Sequence, residues 1–130
     1  MIKRSGSEKS NKVKREVYAG TVHITSTFNN TKVTITDVQG NTLAWSSAGC
    51  VKFSGSKKST PFAAQVAVED AVKKARPYNL KTVDIRLKGA GSGREMAARA
   101  VASAGLSVST IRDVSPRKHG GCRARSARRV

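Results

Sequence analysis

The two ends of this 130-residue chain carry runs of positive charge that cannot enter a hydrophobic core. Residues 117–130 contain six Lys or Arg and no carboxylate, and residues 1–15 contain six against the single acid Glu8. Burial would strip these cations of their hydration, and they repel one another along the chain. We therefore predict a basic N-terminal arm (1–15), one folded domain (16–116) and a basic C-terminal arm (117–130).

The formal net charge of +17 narrows the class of partner. Cations at this density suit a polyphosphate backbone, although charge alone leaves DNA, RNA and an anionic membrane open. No apolar run approaches the roughly 20 residues that span a bilayer, and the N-terminus has no secretory signal. Cys50 and Cys122 lack neighbours at zinc-ligand spacing. We expect free thiols in a reducing cytosol, with no metal or cofactor.

Alternation of apolar and polar residues predicts five strands. They fall at residues 17–28, 31–38, 42–47, 81–87 and 106–111. Short turns make the first three an antiparallel meander. On the first strand, Val22, Ile24, Ser26 and Phe28 share one face.

Two helices are predicted between the later strands. Thr60 and Pro61 form an N-cap and first helical residue, and the helix ends before Pro77 with its first half, Phe62 included, buried all round. Ser92 and Glu95 have capping-box spacing, which predicts a second helix ending near Gly105. The order βββαβαβ indicates a single α/β domain with a five-stranded mixed sheet and two helices.

Right-handed crossovers make strands three, four and five parallel, and the meander gives strand one the same direction. The Asn29-Asn30 turn, the loops at 52–59 and 89–93, and the C-terminal arm should therefore leave by one edge, where open α/β sheets bind ligands. Two helix N-termini at that edge favour phosphate.

The candidate RNA-binding residues all lie in these four segments or directly beside them. They are Asn29, Asn30, Lys52, Phe53, Ser56, Lys57, Lys58, Ser59, Lys88, Gly89, Gly91, Gly93, Arg94, Arg117, Lys118, His119, Arg123, Arg125, Arg128 and Arg129. For either loop alone, tight turns and solvated lysines explain the pattern equally well, and convergence with the basic arm favours phosphate binding. Aromatic residues make up only 5%, so Phe53 is the one stacking candidate and recognition of backbone and shape is expected, which fits folded RNA.

Catalytic interpretations find little support. A dinucleotide fingerprint beginning at Gly89 would need glycine where Arg94 stands, and a P-loop is absent. His23 is expected on a sheet face. Asp37 and Asp84 could serve a metal-dependent nuclease, but an exposed structural role is expected for both.

Several motifs occur together in register. They are Phe28-Asn-Asn-Thr, Trp45-Ser-Ser, Gly55-Ser-Lys-Lys-Ser-Thr-Pro-Phe-Ala-Ala-Gln65, Lys88-Gly-Ala-Gly-Ser-Gly-Arg-Glu95 and Asp113-Val-Ser-Pro116. Over about residues 16–123 the chain closely resembles the family of bacterial-type small-subunit ribosomal protein eleven. The resemblance implies a fold akin to the ribonuclease H-like group, without its catalytic acids. The family's usual Asn-Gly pair and prolines are replaced in this tail by Gly120-Gly121 and Ala124-Arg125, which retains the cations and loses stiffness.

The resemblance also implies a function. Such a protein is a structural constituent of the small ribosomal subunit that binds 16S-type ribosomal RNA on the platform and bridges several RNA helices. It helps form the messenger-holding (Shine-Dalgarno) cleft near the messenger exit, beside small-subunit proteins seven and eighteen and initiation factor three. The implied location is the ribosome in the bacterial cytoplasm or an organelle. The alternative is a free-standing basic nucleic-acid-binding protein, such as a chromatin-like DNA binder.

Overall fold

Five strands and two helices follow one another in the predicted order in a computed structural model, which describes residues 16–127. Residues 1–15 and 128–130, with the candidates Arg128 and Arg129, lie outside the described residues. The elements are β1 (Ala19–Ser26), β2 (Thr31–Asp37), β3 (Thr42–Ser47), α1 (Pro61–Ala75), β4 (Thr82–Lys88), α2 (Arg94–Ser103) and β5 (Ser107–Asp113). Short 3₁₀ helices occupy Gly55–Ser59 and Arg76–Tyr78. The predicted α/β class with a mixed sheet is confirmed.

The sheet has the strand order β3-β2-β1-β4-β5. The first three strands pair antiparallel, as the short turns predicted, while β1 pairs parallel with β4 and β4 with β5. Strands β1, β3, β4 and β5 therefore run in one direction and end at the same edge of the sheet, which we call the carboxyl edge.

Both helices lie on one face of this sheet, α1 against β2 and β3 and α2 against β1 and β5, and they also contact each other. The strands contribute β-branched residues to the core, including Val22, Ile24, Val33, Ile35, Val83 and Ile85. The helices contribute mostly alanine, including Ala64, Ala67, Ala71, Ala97 and Ala100. Such small side chains let the helix backbones lie close to the sheet. The other face of the sheet, which we call the open face, is covered by no helix of residues 16–127.

Helix α1 begins as predicted. The Thr60 hydroxyl accepts a hydrogen bond from the Ala63 amide at 3.3 Å, and Pro61 occupies the first helical position. The expectation that its first half is buried all round is wrong, because Phe62 is 63% exposed. Only one side of the helix packs on the sheet, and Phe62 faces outward in an edge-to-face contact with Phe53, at 5.9 Å between ring centroids.

The predicted capping box at the start of α2 is also wrong. The helix begins at Arg94, and its N-cap Gly93 has no side-chain cap bond. The Ser92 hydroxyl instead donates to the Ser59 carbonyl at 2.6 Å, which fixes one loop against another rather than capping the helix. Gly105, at φ 93°, follows the helix end as predicted.

Candidate nucleic-acid interface

Four segments leave the sheet at the carboxyl edge: the turn 27–30, the loop 48–60, the loop 89–93 and the chain after 113. The loop 89–93 bonds to the loop 48–60, to the chain after 113 and to the last residue of β1, directly before the turn 27–30. Its Gly91 amide donates to the Ser26 carbonyl at 3.1 Å, its Ser92 reaches Ser59, and its Gly89 amide donates to the Ser115 hydroxyl at 3.1 Å. The loops that the sequence placed at one edge therefore form one continuous surface.

The loop 52–59, which we call the basic loop, presents its lysines from a fixed backbone. Lys57 and Lys58 occupy the last turn of the 3₁₀ helix Gly55–Ser59, which also contains Ser56. The Lys57 carbonyl accepts from the Thr60 hydroxyl at 2.8 Å, while the Lys57 side chain is exposed. Lys58 is half-buried and Lys52 is exposed, with a backbone φ of 70°. Cations so placed can meet a phosphate without ordering the loop first.

The turn before β2 is held by its own residues. The Thr27 hydroxyl accepts from the amides of Asn29 and Asn30 at 3.3 and 3.1 Å, and the Asn30 side-chain oxygen accepts from the Thr31 amide at 2.9 Å. The side-chain oxygen of Asn30 is thus used inside the turn, whereas the Asn29 side chain is exposed at its tip.

Packing within the protein explains why the loop 89–93 contains three glycines. A Cβ added to Gly89 would overlap the Ser26 carbonyl oxygen, and one added to Gly91 would overlap the Ser26 hydroxyl and the Thr27 carbonyl oxygen. One added to Gly93 would lie 2.6 Å from the Thr31 hydroxyl. The loop therefore needs glycine in order to pack on the end of β1, which is the plain structural interpretation. A contact of these glycines with phosphate remains a prediction.

Arg94 and Lys88 differ in what they can offer a ligand. The Arg94 guanidinium donates to the Gly89 carbonyl at 3.2 Å and to Asp113 at 2.6 Å, so it is already bonded within the protein. Lys88, predicted with it, is exposed and forms no ion pair within residues 16–127. The electrostatic attraction for phosphate on this loop therefore rests mainly on Lys88.

The other end of the Arg94 pair fixes the start of the C-terminal arm. Asp113 accepts from the Ser115 hydroxyl at 2.7 Å and amide at 2.9 Å. These bonds, followed by that from Arg94, lower the pKa of Asp113 from 3.8 to about 2. Beyond them, residues 117–127 are exposed and contain no helix or strand, which leaves five predicted residues open to a ligand: Arg117, Lys118, His119, Arg123 and Arg125.

Two aromatic residues at this edge were missed by the sequence analysis. Phe28 was expected on the inward face of β1, but that strand ends at Ser26 and Phe28 is 80% exposed beside the Asn29-Asn30 turn. Phe62 projects from the first turn of α1 and contacts Phe53. All three phenylalanines of the chain thus lie at the carboxyl edge. The sequence contained a signal for this, because each phenylalanine lies in or next to a turn, loop or helix start that was assigned to this edge.

The residues considered for catalysis have structural roles. Asp37 is buried, not exposed as expected, and its carboxylate accepts from the amides of Gln39 and Asn41 at 3.0 and 2.8 Å, which closes the turn after β2. Asp84 accepts from the hydroxyls of Ser109 and Thr110, which lower its pKa. His23 lies on a sheet face as predicted.

Residues 16–127 contain no cluster of three or more His, Cys, Asp or Glu that could hold a metal ion. Within the same residues, no helix has the length and apolar character of a membrane span. Cys50 and Cys122 are free and exposed.

An α/β domain that presents exposed cations from several loops at one edge, and continues into a basic arm, defines a class of protein that binds the phosphate backbone of nucleic acid. The comparison with known families agrees with this class. The family model described as ribosomal protein S11 matches residues 20–129, and the chain belongs to this family.

Membership gives the protein a structural role in the small ribosomal subunit and excludes an enzymatic one. The nuclease and chromatin-like alternatives are thereby set aside. The family implies binding to ribosomal RNA and to other ribosomal proteins, within a ribosome of the cytoplasm or of an organelle.

Proposed function

We propose that the carboxyl edge and the two basic arms bind 16S-type RNA on the platform of the small subunit. There the protein bridges several RNA helices and helps form the cleft that holds the messenger (Shine-Dalgarno) duplex near the messenger exit. Its neighbours would be small-subunit proteins seven and eighteen, with initiation factor three binding nearby. The resemblance in the sequence implies these finer assignments, and the folded domain 16–116 supplies the surface.

The observation that carries this proposal is the bond from the Ser92 hydroxyl to the Ser59 carbonyl at 2.6 Å. It joins the loop that carries Lys57 and Lys58 to the loop that directly follows Lys88, the last residue of β4. The cations of two loops, separate in sequence, are thus held on one rigid surface. A surface of this kind can contact phosphates of more than one RNA segment, which is the geometric requirement for bridging.

The test is the affinity for protein-free small-subunit ribosomal RNA, measured across a salt series. Each phosphate contact contributes about 0.7 to 0.9 to the slope of log K against log salt. Replacing Lys57 and Lys58 by Glu should weaken binding and flatten this slope. The matched control replaces Lys73 on α1 and Arg99 on α2, exposed on the helix side of the protein, by Glu. Equal effects of the two double variants would remove the basic loop from the site.

Position in the ribosome needs a separate measurement. Directed hydroxyl-radical cleavage from a probe tethered at Cys50, which is exposed beside the basic loop, would report the nearby RNA. A Cys122→Ser background leaves this single thiol. Cleavage in RNA helices of the platform is expected, and cleavage confined to another part of the subunit would overturn the placement.

A further inference from the structure

The open face of the sheet carries a row of five residues, one from each strand, of which all but a tryptophan on β3 are polar or charged. The strand registers pair Trp45 with Thr34, Thr34 with His23, His23 with Arg86, and Arg86 with Arg112. Directly paired residues point to the same side of a sheet, and neighbouring strands are about 4.8 Å apart, so the row extends for about 19 Å. On β1, β2, β3 and β4, the member alternates along its strand with residues of the helix-covered face, whereas β5 is exposed over nearly its whole length.

This face is positively charged. A second row lies one step nearer the carboxyl edge, with Lys32 paired to Thr25 and Thr25 to Lys88. Lys32, Arg86, Lys88 and Arg112 are all exposed. None of the four forms a salt bridge with a carboxylate of residues 16–127. The acid on this face is Asp84, which lies one row farther from the carboxyl edge than Arg86. Its carboxylate accepts hydrogen bonds from Ser109 and Thr110.

The side chains between the cations are short or polar. Thr25 and Thr34 have short side chains, and the His23 Nε2 atom lies 3.3 Å from the Thr36 hydroxyl, within hydrogen-bond distance. The pKa of His23 is lowered by burial and by Arg86, which favours the neutral imidazole. The one large apolar side chain in the row is Trp45, on the edge strand β3. Its ring centroid lies 5.5 Å from the Lys74 ammonium.

These features favour nucleic acid over protein as the occupant. The core of a protein–protein interface is depleted of charge and enriched in apolar groups, whereas nucleic-acid interfaces are polar and strongly positive. The open face also meets the carboxyl edge at Lys88, so a ligand on one surface can continue onto the other. We propose that the open face is a second RNA-binding surface, on which Arg86, Arg112 and Lys32 contact the phosphates of a ribosomal RNA segment lying across the strands.

The assignment deepens the proposed function and rests on it, so the experiment compares three double variants that each remove two charges. Arg86→Gln with Arg112→Gln changes the open face, Lys57→Gln with Lys58→Gln changes the basic loop, and Lys73→Gln with Arg99→Gln is the helix-side control. Circular dichroism checks that all three remain folded. The probe is protein-free small-subunit ribosomal RNA, with affinity measured across a salt series and hydroxyl-radical footprints recorded.

The open-face variant should lose about tenfold or more in affinity, as expected when charge-assisted hydrogen bonds are removed. Its salt slope should fall by about 1.4 to 1.8, and the control slope should not change. It should also lose protection at nucleotides different from those lost with the basic-loop variant.

Two results would overturn this assignment while leaving the carboxyl edge in place. One is an open-face variant that matches the control while the basic-loop variant binds weakly. The other is an open-face variant that binds RNA normally yet fails to enter small subunits, which would assign the face to a ribosomal protein. If the basic-loop variant also matches the control, the proposed site at the carboxyl edge fails as well.

Discussion

The Nη2 atom of Arg94 lies 2.6 Å from Oδ2 of Asp113, which joins the first residue of α2 to the last residue of β5. The same guanidinium donates to the Gly89 carbonyl. The Arg94 side chain thus connects the loop 89–93, which we call the glycine loop, to the edge strand β5 and to the point where the C-terminal arm leaves the domain. Because Asp113 also holds Ser115, the direction in which the arm leaves is set by this cluster.

Replacing Arg94 by Gln should loosen the start of the arm without unfolding the domain. The pair is partly exposed, so its contribution to global stability is small. The amides of Val114 and Ser115, bonded to the Leu87 carbonyl and the Asp113 carboxylate, should exchange faster with solvent. Hydrogen exchange followed by NMR measures this, with Arg99→Gln on the exposed side of α2 as the control. Unchanged exchange at both amides would contradict the anchoring role.

The same cluster predicts that the stability of the fold depends on pH. The folded-state pKa of Asp113 is about 2, below its ordinary value of 3.8, so the ionised form is favoured by folding. Its stabilisation is fully present above the unfolded pKa and is lost as the pH falls from about 4 through about 2. The difference in melting temperature between the wild type and Asp113→Asn should be constant above about pH 5 and shrink over that range. A difference independent of pH would show that the carboxylate charge is not responsible.

Close packing at the glycine loop predicts a large effect from one methyl group. In Gly91→Ala the new Cβ would overlap the Ser26 hydroxyl and the Thr27 carbonyl oxygen, so we expect a loss of about 1–3 kcal/mol in the free energy of unfolding. Gly49→Ala is the matched control, because its Cβ would have 3.8 Å to its nearest neighbour. Urea denaturation measures both. Equal stabilities would mean that the loop moves away from β1 without loss.

Deleting 117–130 should leave the domain folded and impair its incorporation into small subunits. The described part of the deleted segment is exposed and outside the sheet, so the melting temperature should change little. Sucrose gradients with mass spectrometry give the fraction of protein in small subunits. A control with Arg123→Lys and Arg125→Lys keeps the charge. Normal incorporation of the truncated protein would rule out a need for the C-terminal arm.

The order of elements along the chain, the strand directions and the edge at which the loops gather were predictable because they follow from local patterns and the handedness of crossovers. Alternation around Val22 and Val83 fixes which side of a strand is buried, and Thr60-Pro61 fixes a helix start. Ser92 was predicted wrongly because the same hydroxyl can cap a helix or bond a neighbouring loop. Only the position of Ser59 in three dimensions decides between these two bonds.

The open face was missed for a related reason. Lys32, Arg86 and Arg112 are ordinary solvated residues when each strand is considered alone. They become one surface only when the pairing registers bring them side by side and both helices pack on the other face. The sequence alone does not state which residues of neighbouring strands lie side by side, so it could not single these cations out.

Phe28 offers the sharpest separation of binding from folding. Its ring is 80% exposed at the carboxyl edge and lies outside the hydrophobic core, so Phe28→Ala should change the free energy of unfolding by less than about 0.5 kcal/mol. If an unpaired base stacks on it, the same change should weaken RNA binding by about 1–3 kcal/mol. Phe28→Tyr keeps an aromatic face and should retain binding, whereas Phe28→Leu keeps apolar area without the ring and should not. Fluorescence titration of protein-free small-subunit RNA compares the four proteins, and equal binding by the Leu and Tyr variants would exclude stacking at this position.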